Sequence, residues 1–392
     1  MGFGSKFWLL IAATFLGFLG IGTVLPSMAP HIRHDLGGSD RTVGFVIGIF
    51  SFVALGSRFF SGPLADRRGR KTAFLTGLIS CALAGLAYLL PLGLPGAYLG
   101  RAFQGFGEAC LYTGAAAWAV EAAGIHRSGQ ALGYVSSGIW GGISACPVVG
   151  HWLGSFQRAA MMQATLACVA FVILSRVPED YRPRPRGKRG PWVPRALLAP
   201  GVAIGLVNVQ YPVIAGFLIL HLASHGNSGP AAFTAYAFMV LMARFFFGGL
   251  PDRVDPAISF YCGLALMGVG LTVLAFAPSA PFAIAAAGLL GLGFAFPWSA
   301  IASTTLRRVP EHERGSAVGV ISAFYDLFVG VSSFAAGSLA KQYGYSSAFL
   351  MGALALVAAA FAGHAVFRSG GRTSEVVGIA EAEAARQHCE QS

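Results

Sequence analysis

Three ionisable side chains fall inside long apolar runs, where an isolated charge is costly: Arg101, Glu108 and Asp326. Arg101, Gln104 and Glu108 are spaced i, i+3, i+7, so on a helix they share one face, with Glu108 about 10 Å along the axis from Arg101. That face is expected to line an internal cavity. One cation cannot neutralise two carboxylates, so at least one acid should lack a partner and be able to bind and release a proton. Two plainer roles stand beside this one: a fixed pair between Glu108 and Arg101, and a hydrogen bond from Asp326 to a neighbouring helix. Asn208, Gln210 and Tyr211, just before Pro212, and the aromatic residues Tyr112, Trp140 and Trp298 are further cavity candidates, as solute contacts or as contacts between helices. Gln104 belongs with them. His31, Arg33, His34 and Asp35 form only a weak metal pattern, better read as headgroup contact, and no metal is expected. No Walker loop or nucleophile–base pair is present; no cofactor and no enzyme activity are expected, and a proton gradient is the expected energy source.

The elements that hold these residues follow from composition. Hydrophobic residues make up 55% of the 392, and charged ones 11%, against about 25% in soluble domains. Runs long enough to cross a bilayer lie near 7–29, 42–62, 72–90, 96–119, 129–153 and 159–177, and again near 196–222, 230–250, 257–277, 281–305, 315–340 and 346–367. The expectation is an all-α membrane protein with twelve transmembrane helices in two pseudo-symmetric six-helix bundles: 1–177, a cytoplasmic linker 178–195, 196–367, and a polar cytoplasmic tail 368–392. Of 27 Lys and Arg, 22 are assigned to cytoplasmic loops, tails or helix ends, Arg33, Arg41, Arg158 and Lys341 to the outside, and Arg101 to the membrane interior. That bias puts both termini in the cytoplasm. It accounts for the net charge of +11 without nucleic acid; the expected partners are lipid, protons and a small-molecule substrate, and the chain is expected to be a monomer.

The halves also share sequence. Arg58-Phe59-Phe60-Ser61-Gly62-Pro63-Leu64-Ala65-Asp66-Arg67 returns as Arg244-Phe245-Phe246-Phe247-Gly248-Gly249-Leu250-Pro251-Asp252-Arg253, seven of ten positions identical at an offset of 186. Pro26 falls on Pro212, Gly105 on Gly291, Gly107 on Gly293, and His126 on His312 in the same register. This is a duplicated unit, too long for a solenoid repeat. Glu108 falls on Phe294 and Asp326 on Trp140, so neither acid has a twin.

Gly62-Pro63-Leu64-Ala65-Asp66-Arg67-Arg68-Gly69-Arg70-Lys71 resembles the signature loop between helices 2 and 3 of the major facilitator superfamily, with a degenerate copy at Gly248 to Arg253. Leu99-Gly100-Arg101-Ala102-Phe103-Gln104-Gly105 resembles that family's helix-4 motif. Helix 5 is similar to the antiporter motif at Gly133, Gly142, Pro147 and Gly150, with Cys146 and His151 replacing two glycines. The run from Gly105 through Thr113-Gly114, with Phe324-Tyr325-Asp326, resembles bacterial branches described as uncharacterised, sugar-efflux-like or drug:proton antiporters. The resemblance implies a latch, in which Gly62, Asp66, Arg67, Gly69 and Arg70 close the cytoplasmic side against helix 11; a plainer role for the basic residues is anchoring at headgroups.

The combined expectation is a secondary transporter of the bacterial inner membrane that exports a small organic solute by proton antiport and alternating access. Proton-coupled uptake is the alternative, and a receptor that moves nothing is a remoter one. Helix-5 glycines and Pro147 are expected mainly to pack and bend the helix. Aromatic residues and few charges point to a solute that is not strongly anionic.

Overall fold

A computed structural model of the protein describes residues 3–123, 127–179, 194–227, 229–247, 254–276, 279–309 and 314–390. The second signature copy at Gly248 to Arg253, His126, His312 and most of the expected linker (180–193) lie outside these residues. Within them the chain is helical throughout, with no strand.

Twelve long helical runs are described: α1 Ser5–Asp35, α2 Asp40–Arg68, α3 Arg70–Leu89, α4 Leu94–Ala123, α5 Ser128–Leu153, α6 Phe156–Ser175, α7 Arg195–Ser224, α8 Gly229–Phe247, α9 Pro256–Ala275, α10 Ala280–Leu306, α11 Arg314–Tyr343 and α12 Tyr345–Glu390. Helix is the form that satisfies every backbone group internally in an apolar medium. Eleven of the twelve have an apolar stretch long enough to cross a membrane. The exception is α4, whose 30 residues are ample for a crossing but include Arg101, Gln104, Glu108 and Glu121. In α12 the helix runs on to Glu390, through the segment read from sequence as a tail.

The packing repeats with the sequence. In the first half α1 lies against α5 and α6, α3 against α4 and α6, and α2 against α4. In the second, α7 lies against α11 and α12, α9 against α10 and α12, and α8 against α10. Each pairing of the second set is the first shifted by six helices. Glycines make the closest crossings in both. A Cβ on Gly105 would strike the carbonyl of Phe50, and one on Gly291 that of Tyr236, which is residue 50 advanced by 186. Likewise Gly107 packs on the Gly77 carbonyl and Gly293 on that of Gly263. Both α1 and α7 break just ahead of a proline, at Val24 before Pro26 and around Val209 before Pro212. Proline has no N–H to give the preceding turn, so the ladder is interrupted there.

The halves meet mainly where α2 crosses α11 and α5 crosses α8, with the later parts of α1 and α7 also touching. The α2–α11 seam is tight at its Asp40 end, where a Cβ on Gly44 would strike the Ser333 carbonyl and one on Gly337 would lie 2.7 Å from that of Asp40. Tyr345 donates a hydrogen bond to Asp40 there (3.1 Å). Towards the other end the two helices separate: nothing lies within 4 Å of a Cβ built on Gly56, Gly62 or Gly319.

Two sequence expectations change at that open end. The stretch read as a loop is helical through Arg68, and the turn is Gly69 alone, held at φ +103°, where side chains are strained. Gly62 makes no close helix contact in this conformation, and Asp66 is exposed on the last turn of α2. Arg67 is exposed as well. Arg70 is buried and pairs with Glu121 of α4 (2.8 Å), its backbone N–H donates to Glu179 (2.6 Å), and Lys71 donates to the carbonyls of Ser175 and Val177 at the end of α6 (2.7 Å each). These two residues tie α3 to α4 and α6, so they are not headgroup anchors.

Candidate coupling and solute site

Arg101 and Gln104 lie three apart on α4, as their spacing requires, yet neither reaches a cavity. Arg101 donates to the carbonyls of Val46 (3.3 Å) and Ile47 (3.2 Å) and to Gln104 Oε1 (2.6 Å), with its guanidinium 4.5 Å from the centre of the Phe50 ring. Gln104 donates to the Ile21 carbonyl (3.0 Å) and to Gln163 Oε1 (2.8 Å), and accepts from Tyr88 (3.1 Å). Gln163 in turn donates to the Cys81 carbonyl (3.0 Å). All four polar side chains are buried, and the network joins α1, α2, α3, α4 and α6. Its cation is neutralised by carbonyl dipoles, with no acid involved. The expectation that Arg101 and Gln104 line the cavity is therefore corrected, because both are buried and hydrogen-bonded to neighbouring helices.

Glu108, two turns further along α4, has a different cation. Arg58 of α2 reaches Asp326 of α11 through Nε at 2.6 Å and has Nη2 3.8 Å from Glu108 Oε2. Tyr112, one turn beyond Glu108, lies under the same guanidinium, 5.4 Å from its ring centre. The expected arrangement of two acids and one cation is present, but the cation is Arg58, not Arg101. Asp326 is nearly inaccessible while Arg58 and Glu108 keep about 15% and 14% of their side-chain surface. Glu108 Oε2 has no hydrogen-bond partner within the described residues. The Arg58–Asp326 contact joins the two halves at the point where the α2–α11 seam gives way to separated helices.

Arg58 was counted with the cytoplasmic charges, and so was its counterpart Arg244. Both lie in the protein interior. Arg244 of α8 stands over the Trp140 ring of α5 at 4.0 Å, and its Nε and Nη2 are buried without a hydrogen-bond partner among the described residues. Trp140 is also 5.9 Å from Phe294, edge to face. Leu25, Trp140, Ser144, Pro147, Tyr211, Tyr236 and Phe294 surround a cavity of about 30 Å3 between the halves, room for about one water.

Other candidates are scattered. Tyr211 borders that cavity and approaches Tyr325, ring centres 6.5 Å apart. Gln210 is fully buried, with Nε2 3.4 Å from the Tyr236 hydroxyl; Asn208 donates to the Ile204 carbonyl (2.7 Å); and Gln210 Oε1 and Asn208 Oδ1 find no partner among the described residues. Trp298 is half-buried against the core cluster to which both halves contribute. On α5, Gly142 and Gly150 meet the α1 backbone, at the Phe15 carbonyl (2.6 Å from a built Cβ) and that of Thr23 (2.8 Å), whereas Gly133 meets nothing within 4 Å. His31 pairs with Asp35 (2.6 Å) and stacks on Phe156.

Sequence and fold comparisons agree with this architecture. The family model described as Major Facilitator Superfamily matches residues 10–229 and 202–387. An uncharacterized MFS-type transporter of Salmonella typhimurium is 30% identical over 375 residues, covering 91% of this chain and 95% of that protein. Another, of Burkholderia mallei, is 26% identical over 366 residues, 89% of each chain. In three dimensions the chain resembles a mutant of the nucleoside transporter NupG, with a TM-score of 0.76 at 14% identity, over 93% of this chain and 100% of that one. It also resembles a bacterial homolog of the human lysosomal transporter Spinster, solved in an inward-facing, unoccupied conformation, with a TM-score of 0.75 at 15% identity over 94% and 97%.

Proposed function

Because the chain belongs to the major facilitator superfamily, we propose that it is a secondary active transporter which exports a small organic solute by alternating access, in exchange for protons. All twelve helices span the membrane in this reading, α4 included, since its charged groups face protein rather than lipid. They form two six-helix bundles that rock about the α2–α11 and α5–α8 seams, with both termini in the cytoplasm and the separated ends facing it.

One observation carries the coupling: the Arg58 guanidinium is shared between an acid of its own half and an acid of the other. Protonation of Asp326 removes the partner that holds α2 to α11, and Glu108, 3.8 Å away, is placed to take the cation instead. The exchange loosens the seam without stranding a buried charge, which would cost several kcal/mol. Asp66 acts in the opposite state, when the cytoplasmic ends come together and its carboxylate reaches the end of α11. The reverse direction, uptake together with a proton, is favoured by one feature: Arg244 has no acidic partner among the described residues. An anion seated there would draw a proton towards Glu108 and Asp326 rather than displace one.

Transport into inverted membrane vesicles, with and without a proton gradient, separates the directions. In Glu108→Gln, gradient-driven movement is lost while exchange of solute for solute continues. Gradient-driven movement at the wild-type rate would remove Glu108 from the mechanism.

A further inference from the structure

Arg244, half-buried with Nε and Nη2 inaccessible, is an interior cation that the coupling scheme leaves unused. Arg58 has two carboxylates, and Arg101 has three oxygen acceptors. Arg244 has an aromatic face and two buried nitrogens, Nε and Nη2, that donate to nothing described. A guanidinium in that condition is costly in an apolar interior, and a cation–π contact of about 2 kcal/mol offsets only part of it. The bilateral fork of Arg is suited to two oxygens in one plane.

Three further features surround it. Trp140, beneath the guanidinium, forms one wall of the cavity between the halves. Tyr236 and Phe294 form others, with rings 6.2 Å apart. Ser144 Oγ on the cavity wall, and Gln210 Oε1 beside Tyr236, are buried without partners among the described residues. Through Trp140, Arg244 thus adjoins an aromatic cavity to which both halves contribute, with one unsatisfied hydroxyl on its wall and an unsatisfied amide oxygen beside Tyr236. The acids Glu108 and Asp326 are engaged by Arg58.

We propose that Arg244, with Trp140, Tyr236, Phe294 and Ser144, is the seat for the carboxylate of a small aromatic or flat apolar monoanion, the solute class this protein carries. It rests on the transporter reading for the word solute, though not for the binding itself. The carboxylate takes the Arg244 nitrogens, the ring lies along Trp140 and Phe294, and Ser144 meets a polar substituent. At about 30 Å3 the cavity holds no such molecule until α5 and α8 move apart, so occupancy is coupled to the motion of the halves. Arg244 would belong to the α8 surface that moves.

The test uses the full-length protein in lipid nanodiscs and matched probes that differ in charge: benzoate and indole-3-acetate, their amides, and benzylamine. Tryptophan fluorescence and the unfolding temperature are followed as each is added. Saturable binding of the acids, about tenfold or more tighter than the amides, is expected from a charge-assisted hydrogen bond. Arg244→Gln should lose that preference and Arg244→Lys keep part of it, each checked for an unchanged elution volume. Equal binding of acid and amide, tighter binding of benzylamine, or no saturable response of the wild type to either acid would each overturn the proposal, and none depends on a variant folding. The wild-type acid preference surviving in Arg244→Gln would overturn it too. Binding of the acids without flux in vesicles removes the transporter reading and leaves this site standing; proton-driven flux of the cation ethidium with no acid preference removes this site alone.

Discussion

The two halves have the same helix pairings and the same glycine crossings, but their interiors are chemically unlike. Where the first half buries Tyr88, Arg101, Gln104 and Gln163 in one hydrogen-bonded network, the second, at an offset of 186, buries Leu274, Ala287, Leu290 and Phe349. Arg58 stands between two acids while Arg244 stands over an indole. One backbone arrangement therefore tolerates either a polar or an apolar interior, so the fold alone does not require the first half's charges. What the polar set adds is specific geometry around α4, the helix that carries Glu108.

The largest effect should come from breaking the shared cation. Arg58→Gln leaves Glu108 and Asp326 without their cation, and unfolding of the purified protein should show a loss of about 3–5 kcal/mol. Adding Asp326→Asn should recover most of it, because no buried acid of the inter-half pair then remains. Next comes the α4 network. Gln104→Leu installs the second half's residue but strands Arg101 and Gln163, for a loss of about 3 kcal/mol. Converting all four positions together, Tyr88→Leu, Arg101→Ala, Gln104→Leu and Gln163→Phe, should return stability towards the wild type if the halves are interchangeable in packing. Failure of that conversion would show that the polar network is needed for the fold itself.

Smaller effects sharpen the likeness. Gly105→Ala and Gly291→Ala each push a Cβ into a facing carbonyl and should cost about 1–3 kcal/mol apiece, with similar values in the two. A large difference would mean that one half relaxes where the other cannot. The smallest change is expected at Arg244, where removal orphans no acid within the described residues. Arg244→Gln loses a cation–π contact of about 2 kcal/mol but also removes a poorly paired interior charge, so its net shift in stability should stay within about 1 kcal/mol. A loss as large as that of Arg58→Gln would erase the distinction between the two arginines.

Much of the fold was legible in sequence because hydrocarbon imposes a simple length rule, and because the stretch around Asp66 and Asp252 fixed the register of duplication. The helix hardest to recognise by apolarity is α4, whose charged and amide side chains face protein partners: Arg101 and Gln104 in the interior network, Glu108 towards Arg58 and Glu121 towards Arg70. The acids were legible for the same reason, since Glu108 and Asp326 are conspicuous in apolar runs. Arg58 and Arg244 were not. They precede Asp66 and Asp252 by eight residues, about 12 Å along a helix, yet they merge with a basic loop when charges are simply counted by segment. Their shared register, 58 and 244, was the available signal. Gln163, the partner that turns Gln104 inward, had no local mark, since long-range pairing between α4 and α6 does not show in spacing.

The crossing of Gly44 and Gly337 brings main chain against main chain at the Asp40 end, where a Cβ on either glycine would run into the facing backbone. Peptide groups do not titrate, so the fit of the two helices at this crossing does not depend on the charge of the carboxylates deeper in the protein. In the proposed transport cycle this contact would be broken by the rocking of the two halves, and not by protonation at the glycines themselves.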